Sequence, residues 1–301
     1  MKLLKLCIFV LFIAYVEKTQ AQKNINYTLV SDNPYRINQL YFRVQPIYFE
    51  YFKGNTASFG GALELRYGWQ NKYLLHVSNR KSYDVIAEGP SEENFIVRDF
   101  AVEYILLDKN VKKDISVTLS SSTSEDARYR YTYSKFINVP SAVRRSFGVR
   151  GGVFNYQSPF MVSELSKVNT SLIKGNLIRS TSVFGGLSYN IIHNTQIRVS
   201  GLRGIKSNAK WLNMYADVMY APHLAVADIA DSLQENMSSE KNRLGWRAGL
   251  LADFHTTKFL TFGGRAEIGS RPGFKNNGFF LYFGMGATIG LWKDKTDYTK
   301  E

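Results

Sequence analysis

The chain has 301 residues, 38 Lys+Arg against 25 Asp+Glu, a formal net charge of +13, and 45% hydrophobic and 14% aromatic residues. It is too apolar to stay disordered, and its single cysteine, Cys7, excludes a disulfide scaffold. Beyond the first 16 residues no apolar run approaches the roughly 20 residues that a helix needs to cross a bilayer, so a bundle of transmembrane helices is not expected.

The N-terminus has the layout of an export signal. Lys2 and Lys5 form a positive start, Leu6 to Val16 is an apolar stretch too short to span, and Thr19 and Ala21 place small residues where a signal peptidase reads them. Residues 1–21 are therefore expected to be cleaved before Gln22, with 22–36 following as an N-terminal segment. Cys7 falls inside the apolar stretch, so cleavage leaves no thiol for nucleophilic or metal chemistry. It also removes three lysines and one glutamate, lowering the net charge by two.

From 37 to 292 the side chains alternate with a period of two, the signature of strands. In chain order the runs are 38–52, 56–69, 72–79, 95–107, 112–121, 127–137, 145–156, 179–192, 195–204, 209–221, 243–255, 258–270 and 277–292. In 56–69, Phe59, Leu63, Leu65 and Tyr67 oppose Glu64 and Arg66. In 209–221, Leu212, Met214, Ala216, Val218 and Tyr220 oppose Trp211, Asn213, Tyr215 and Asp217. In 243–255, Leu244, Trp246, Ala248 and Leu250 oppose Arg243, Arg247 and Asp253. In 258–270, Leu260, Phe262, Ala266 and Ile268 oppose Arg265 and Glu267. Residues 293–301 form a polar tail.

Alternation alone does not say which face is inside, since a soluble sandwich or lipocalin-like barrel would bury the apolar one. The runs, however, have the length of tilted bilayer-spanning strands, about 9–11 residues, and exceed the usual soluble strand of about 5–6. Their polar face mixes Gly with Arg and carboxylates, as a crowded lumen would. Aromatics gather near run ends, at Tyr48, Phe49, Tyr51, Phe52, Trp69, Tyr156, Tyr189, Trp211, Phe254, Phe259 and Trp292. With the export signal, this pattern resembles an outer-membrane β-barrel of a Gram-negative bacterium. The resemblance covers most of 37–292 and implies an all-β, antiparallel up-and-down transmembrane barrel in the cell outer membrane. Thirteen runs, with 25–30 and 82–87 as candidates for a missed one, predict 12 to 14 strands, because such barrels are usually even-numbered.

The two longest connections, 157–178 and 222–242, are separated by three runs and are expected on opposite sides of the membrane. Within the second, Val226, Ile229, Leu233 and Met237 recur at helical spacing. A short amphipathic helix is predicted there, on the periplasmic side, either covering the barrel mouth or docking a partner.

Catalytic motifs are scarce: there is no metal-binding His-Glu-x-x-His, no phosphate loop and no nucleophile elbow, and no metal or cofactor is expected. His76 and Ser78, two apart on a strand, share a face where an imidazole could activate the hydroxyl. The string His76-Val77-Ser78-Asn79 resembles that of outer-membrane phospholipase A and of the lipid A deacylases. That resemblance covers four residues and implies a lipid-facing His–Ser pair, with Asn94 as the residue that would orient the His. No calcium-binding residues can be matched to it.

The expected lumen charges are Glu64, Arg66, Arg150, Arg198, Asp217, Arg247, Asp253, Arg265 and Glu267, joined by Asp99 and Glu103. The mixture of signs predicts a salt-bridged, closed interior rather than an anion-selective pore. Arg80-Lys81, Lys112-Lys113, Arg144-Arg145, Lys206, Lys210, Lys241, Arg271 and Lys275 fall mostly in predicted turns, where they would meet phosphates of outer-membrane lipids and lipopolysaccharide. Scattered charges on an exported chain argue against nucleic acid. The sequence thus points to a non-catalytic barrel, either an accessory subunit of an envelope secretion or assembly complex or a narrow channel; the alternative is a lipid hydrolase using His76 and Ser78.

Overall fold

The computed structural model describes residues 25–52, 56–86, 95–125, 130–160, 176–227, 241–256, 258–274 and 278–293, and every regular element among them is a strand. In chain order these are β1 (Tyr27–Ser31), β2 (Asn38–Phe52), β3 (Thr56–Trp69), β4 (Tyr73–Ile86), β5 (Ile96–Glu125), β6 (Arg130–Phe160) and β7 (Asn176–Val199). They continue with β8 (Ile205–Ala227), β9 (Lys241–Asn242), β10 (Leu244–Phe254), β11 (Leu260–Ser270), β12 (Gly273–Phe274) and β13 (Phe279–Lys293). Leaving aside β1 and the two-residue β9 and β12, each strand pairs antiparallel with the next, and β13 returns to pair with β2. The result is a closed up-and-down barrel of ten strands, with no open edge around its wall.

Ten replaces the expected 12 to 14 for a single reason. Runs 95–107 and 112–121 fall in one strand, β5; 145–156 and the described part of 127–137 fall in β6; 179–192 and the first half of 195–204 fall in β7. The polar stretches taken for turns are continuous ladder, from Asp108 opposite Ser146 to Lys113 opposite Ser141. Once a strand has left the bilayer its outer face no longer needs apolar side chains, so the pattern fades while the hydrogen bonds persist. Pro140 is tolerated because β6 stops pairing with β7 at Val143, leaving a free edge there. Residues 82–86 belong to β4, and β1 lies outside the ring, on the end of β7.

Burial is inverted relative to a soluble protein. Phe262 is 73% exposed, Val218 65% and Met285 61%, whereas Arg80, Arg247 and Asp253 are each 0% exposed. The alternating faces therefore put the apolar set on the outside and the charges in the lumen. Aromatics rim the outer face at two levels. Trp69, Tyr73 and Tyr104 stack across β3, β4 and β5 with centroids 5.4 and 5.2 Å apart at one end. At the other, Phe49 and Phe59 meet at 5.3 Å. Phe59 and Trp69 are ten residues apart on β3, roughly 33 Å of strand at about 3.3 Å per residue, which a tilt of about 40° lowers to about 25 Å, the height of a barrel's apolar band. Tyr48, Tyr156 and Trp211, expected in these belts, instead point inward and are buried.

Connections at the end carrying Asn38 and Lys293 are short: 70–72, 200–204 and 255–259. The first is a tight turn with Gln70 and Asn71 both at positive φ (51° and 56°), closed by the Lys72 amide on the Trp69 carbonyl. The second turns through Gly201 and Gly204 at φ 81° and 77°, which a side chain would resist. Short turns mark the periplasmic end. The longer connections, 87–95, 161–175 and 228–243, leave from the opposite, extracellular end. Only β7 and β8 separate the last two, so both emerge on one side, contrary to the expectation from three intervening runs. The segment expected to be a periplasmic helix is therefore extracellular at its roots. Val226 is in β8, while Ile229, Leu233 and Met237 lie outside the described residues.

Two elements extend the barrel into the periplasm. β1 takes over the edge of β7 that β6 vacates, pairing Tyr27 with Val199 and Leu29 with Ile197. From there the chain runs through 32–37 to β2, which is five strands away from β7 in either direction around the ten-strand ring. This strap crosses the periplasmic mouth along a diameter. The second element is the β5–β6 hairpin, continuing beyond β4 and β7. Its Val117, Leu119, Ile137 and Val139 pack against Ile197 and Val199, and the Asn208 side-chain amide donates to the Ser116 carbonyl at 2.7 Å. Ile197 and Val199 are in phase with Val183 and Leu187, which face lipid higher on β7 and are 49% and 50% exposed. The hairpin thus folds back over the outer side of the wall, beneath the bilayer.

Candidate functional site

The lumen collects the polar phase of all ten strands. Arg247, on β10 opposite Asp217 of β8, donates through Nε to Asp217 at 2.7 Å and through Nη1 and Nη2 to Asp99 at 2.9 and 3.0 Å. Arg265 reaches Asp99 at 2.8 Å, Glu267 at 2.5 Å and Glu64 at 3.4 Å. Arg43 pairs with Glu64 at 2.9 Å and with Asp253, which also takes Arg66 at 2.6 Å. Arg80 holds Glu267 at 2.9 Å, Arg150 holds Asp217 at 3.2 Å, and Arg271 holds Glu50. Glu103 accepts from Asn190 at 2.6 Å and from Asn213 at 3.2 Å.

Among the described residues, the lumen and its extracellular cover bury seven arginines (43, 66, 80, 150, 247, 265 and 271) and seven carboxylates (50, 64, 99, 103, 217, 253 and 267), while Arg144 pairs with Asp108 at the periplasmic mouth. Charge is balanced, each carboxylate is bonded, and the planar guanidinium faces rest on rings: Arg66 on Trp211 at 3.8 Å, Arg150 on Tyr215 at 3.9 Å, Arg80 on Tyr282 at 4.2 Å. Such a network links eight of the ten strands, with β7 and β13 joining through Asn190 and Thr288, and moving a charged strand by two residues would strand a buried charge.

The mouths are covered too. At the periplasmic end, Asn194 donates to the carbonyls of Asn33 and Arg36 at 3.1 and 3.0 Å, anchoring the strap to β7. Arg144 stacks on the Tyr35 ring at 4.7 Å and grips Asp108 at 2.8 Å, and the Tyr35 hydroxyl donates to Asp108 at 3.4 Å. Burial raises the Tyr35 pKa, so it stays a neutral donor there at physiological pH. Beneath the strap Ile37, Tyr41, Ile192 and Trp211 pack together. At the extracellular end, the turn after β11 folds inward. Arg271 inserts among the rings of Phe280, Phe95, Phe154 and Tyr156, with centroids at 4.1, 5.2, 5.5 and 5.5 Å. The Tyr156 hydroxyl donates to the Pro272 carbonyl. Two cavities lined by described lumen residues are each about 20 Å³, room for about one water.

Of the expected lumen charges, Glu64, Arg66, Arg150, Asp217, Arg247, Asp253, Arg265 and Glu267 all lie inside, as do Asp99 and Glu103. Arg198 does not: it is exposed on the periplasmic extension of β7, opposite Thr28, where the wall has ended. Arg43, Glu50, Arg80 and Arg271 are lumen residues the sequence reading missed. A bulge between Gln45 and Tyr48 shifts the phase of β2, so Tyr41, Arg43 and Gln45 face inward and then Tyr48 and Glu50 do. Pro46 was the available signal for that bulge. Arg80 lies just past the run 72–79 and so reads as a turn residue, yet β4 continues through it and it keeps the phase of His76 and Ser78. Arg144 and Arg271, also placed in turns facing lipid phosphate, cover the two mouths.

His76 and Ser78 do share a face, but it is the lumen face, whereas the phospholipase-like pattern requires lipid. Ser78 is 1% exposed, and its Oγ accepts from Arg265 at 3.1 Å. His76 Nε2 lies 3.4 Å from the same guanidinium, and Nδ1 is 4.0 Å from Asp99. Both side chains are thus bound to the ion-pair network, not to each other. Asn94 lies outside the described residues. Among those residues no group of His, Cys, Asp and Glu is arranged to hold a metal ion.

A closed barrel, apolar outside and charged within, is the architecture of outer-membrane β-barrel proteins, and this chain is one of them. No protein-family description matches it, and neither does any curated protein. Among solved structures it is similar to the NanC porin (9% identity, TM-score 0.30, 83% of this chain and 100% of that one). It is also similar to the CymD monoaromatic hydrocarbon channel (9%, TM-score 0.27, 85% and 89%). A third is the outer membrane protein OmpT of Vibrio cholerae (10%, TM-score 0.19, 84% and 99%).

Proposed function

We propose that this protein is a non-catalytic, non-conducting outer-membrane barrel that acts as the integral subunit of an envelope secretion or assembly complex. The observation that carries this reading is the filled lumen: a charge-balanced network, covered at one end by the strap and at the other by the Arg271 turn. A conduit needs a continuous wet path and ions that bind weakly enough to leave; here the arginines are already committed to buried carboxylates. What the barrel offers instead is an anchored periplasmic surface, made of the strap, β1 and the β5–β6 hairpin. On the hairpin, Tyr133 is 62% and Phe136 39% exposed, and aromatic side chains of this kind favour protein contacts.

The test is isolation from the native membrane in mild detergent, followed by mass spectrometry of what remains bound. Stoichiometric partners with the intact protein, lost when 112–141 is replaced by a two-residue turn, are the expected result. A clean monomer in both cases overturns the subunit reading. The narrow-channel alternative predicts single-channel conductance from the same preparation. The hydrolase alternative predicts lipid deacylation that Ser78→Ala and His76→Ala abolish, and the inward placement of both residues weighs against it.

A further inference from the structure

The outer face of the barrel carries a second feature, independent of any partner protein. On β5, Tyr104 and Leu107 are exposed to lipid, at 38% and 68%, and a bulge at Leu106 lies between them. Below them the same face continues with Lys109 and Lys113, because the ladder is regular from Leu107 to Thr118. Lys109 sits directly opposite Arg145 of β6, and all three side chains are exposed. Two strands further, Lys210 of β8 lies over the Phe254 ring at 5.1 Å, and Lys113 and Lys210 both bear electrostatically on His193 between them.

Like charges directly opposite across a ladder destabilise it, and this pair has no local relief. Asp108 and Asp114 alternate with the lysines and so fall on the other face, where Asp108 is taken by Arg144. No ion pair joins Lys109, Lys113 or Arg145 to a carboxylate among the described residues. The cluster lies just beyond the Trp69–Tyr73–Tyr104 girdle, at the height of lipid headgroups on the periplasmic side. The hairpin that folds back over the outer wall carries Lys113 up against that surface.

We propose that Lys109, Arg145 and Lys113 form a binding site for the phosphate of an anionic phospholipid in the inner leaflet of the outer membrane. The phosphate neutralises the opposed Lys109–Arg145 pair, and the lipid's acyl chains lie on the apolar wall at Leu107 and Val149 above it. Lipid headgroup and hairpin would then stabilise each other, since binding favours the folded-back hairpin over a detached one.

The experiment uses the full-length mature protein in nanodiscs of phosphatidylcholine with increasing phosphatidylglycerol, reading lipids retained on release by native mass spectrometry. The wild type is expected to retain phosphatidylglycerol preferentially. Each of Lys109→Gln, Lys113→Gln and Arg145→Gln should weaken retention about fivefold, at about one neutralised contact per charge. A Lys109→Arg/Arg145→Lys/Lys113→Arg variant should preserve it, and heat-dependent gel mobility confirms that each variant is a folded barrel. The proposal is overturned if the triple Gln variant, folded, retains phosphatidylglycerol as the wild type does. It is also overturned if Lys81→Gln/Arg98→Gln, at the extracellular rim, causes the same loss, which would reduce the effect to net charge. In a second set of nanodiscs that also contain lipopolysaccharide, its retention by the wild type in preference to phosphatidylglycerol would overturn the inner-leaflet assignment.

Discussion

Arginines of identical chemistry have very different weights in this protein, and position in the barrel decides which. Arg247 is fully buried and binds two aspartates through three hydrogen bonds. Replacing it with Gln leaves Asp99 to Arg265 and Asp217 to Arg150, with one buried positive charge missing from the network, a loss of up to about 3–5 kcal/mol. Arg247→Gln is therefore expected to lower the midpoint of urea unfolding sharply, whereas Arg198→Gln, on an exposed extension, should stay within about 0.5 kcal/mol of wild type. A residue-scale reading of sequence could name Arg247 because its neighbours alternate cleanly. It could not name Arg43 or Glu50, since the bulge in β2 inverts the phase between them and only the register with β3 and β13 reveals it. Gly249 belongs to the same scale. It faces Tyr215 across the β8–β10 ladder, and a Cβ there would collide with the tyrosine ring. Gly249→Val should displace Tyr215 from Glu267 and cost activity-independent stability, readable in the same unfolding curve.

At the scale of the element, a strand's outer face changes meaning along its length. Within the apolar band, Leu63 and Phe262 are exposed to lipid, at 47% and 73%. Leu63→Arg, near mid-height, should cost about 2–4 kcal/mol, seen as a lowered fraction of folded barrel on reconstitution into lipid. Below the band the same phase becomes a small aqueous core, with Val117, Val139 and Ile197 buried almost completely. Ile137→Asp should open that core and release the hairpin. The expected outcome is rapid proteolytic nicking between β5 and β6 while the barrel keeps its heat-dependent mobility; equal protease resistance in variant and wild type would refute the folded-back hairpin. This element was the least legible in sequence. Its strands lose the apolar alternation on leaving the membrane, so 108–111 and 138–144 read as turns although the ladder runs through both.

For the whole molecule, closure has electrical consequences. With the strap and the Arg271 turn in place, planar-bilayer recordings are expected to show no steady single-channel current. Removing residues 25–36 takes away one cover and Arg271→Ala the anchor of the other. Even the two together should yield no openings, because the ion-pair network fills the lumen between the covers. Steady conductance from the wild type would contradict the occluded lumen.

Some of this architecture follows from the amino-acid order alone: a period of two over long runs, small and charged residues on one phase, and large apolar ones on the other. Those features determine an all-β wall and, through run length, a bilayer-spanning one, because strand geometry is local and needs no knowledge of neighbours. The number of strands, the side from which each connection emerges and the place of Arg43, Glu50, Arg80 and Arg271 in the lumen network were decided only in three dimensions. They depend on which ladders continue past a polar stretch and where a bulge shifts the phase. They also depend on which residues meet across a ring that closes between β13 and β2. Pairing partners far apart in sequence settle each of these, and alternation within a single strand carries no information about its partner.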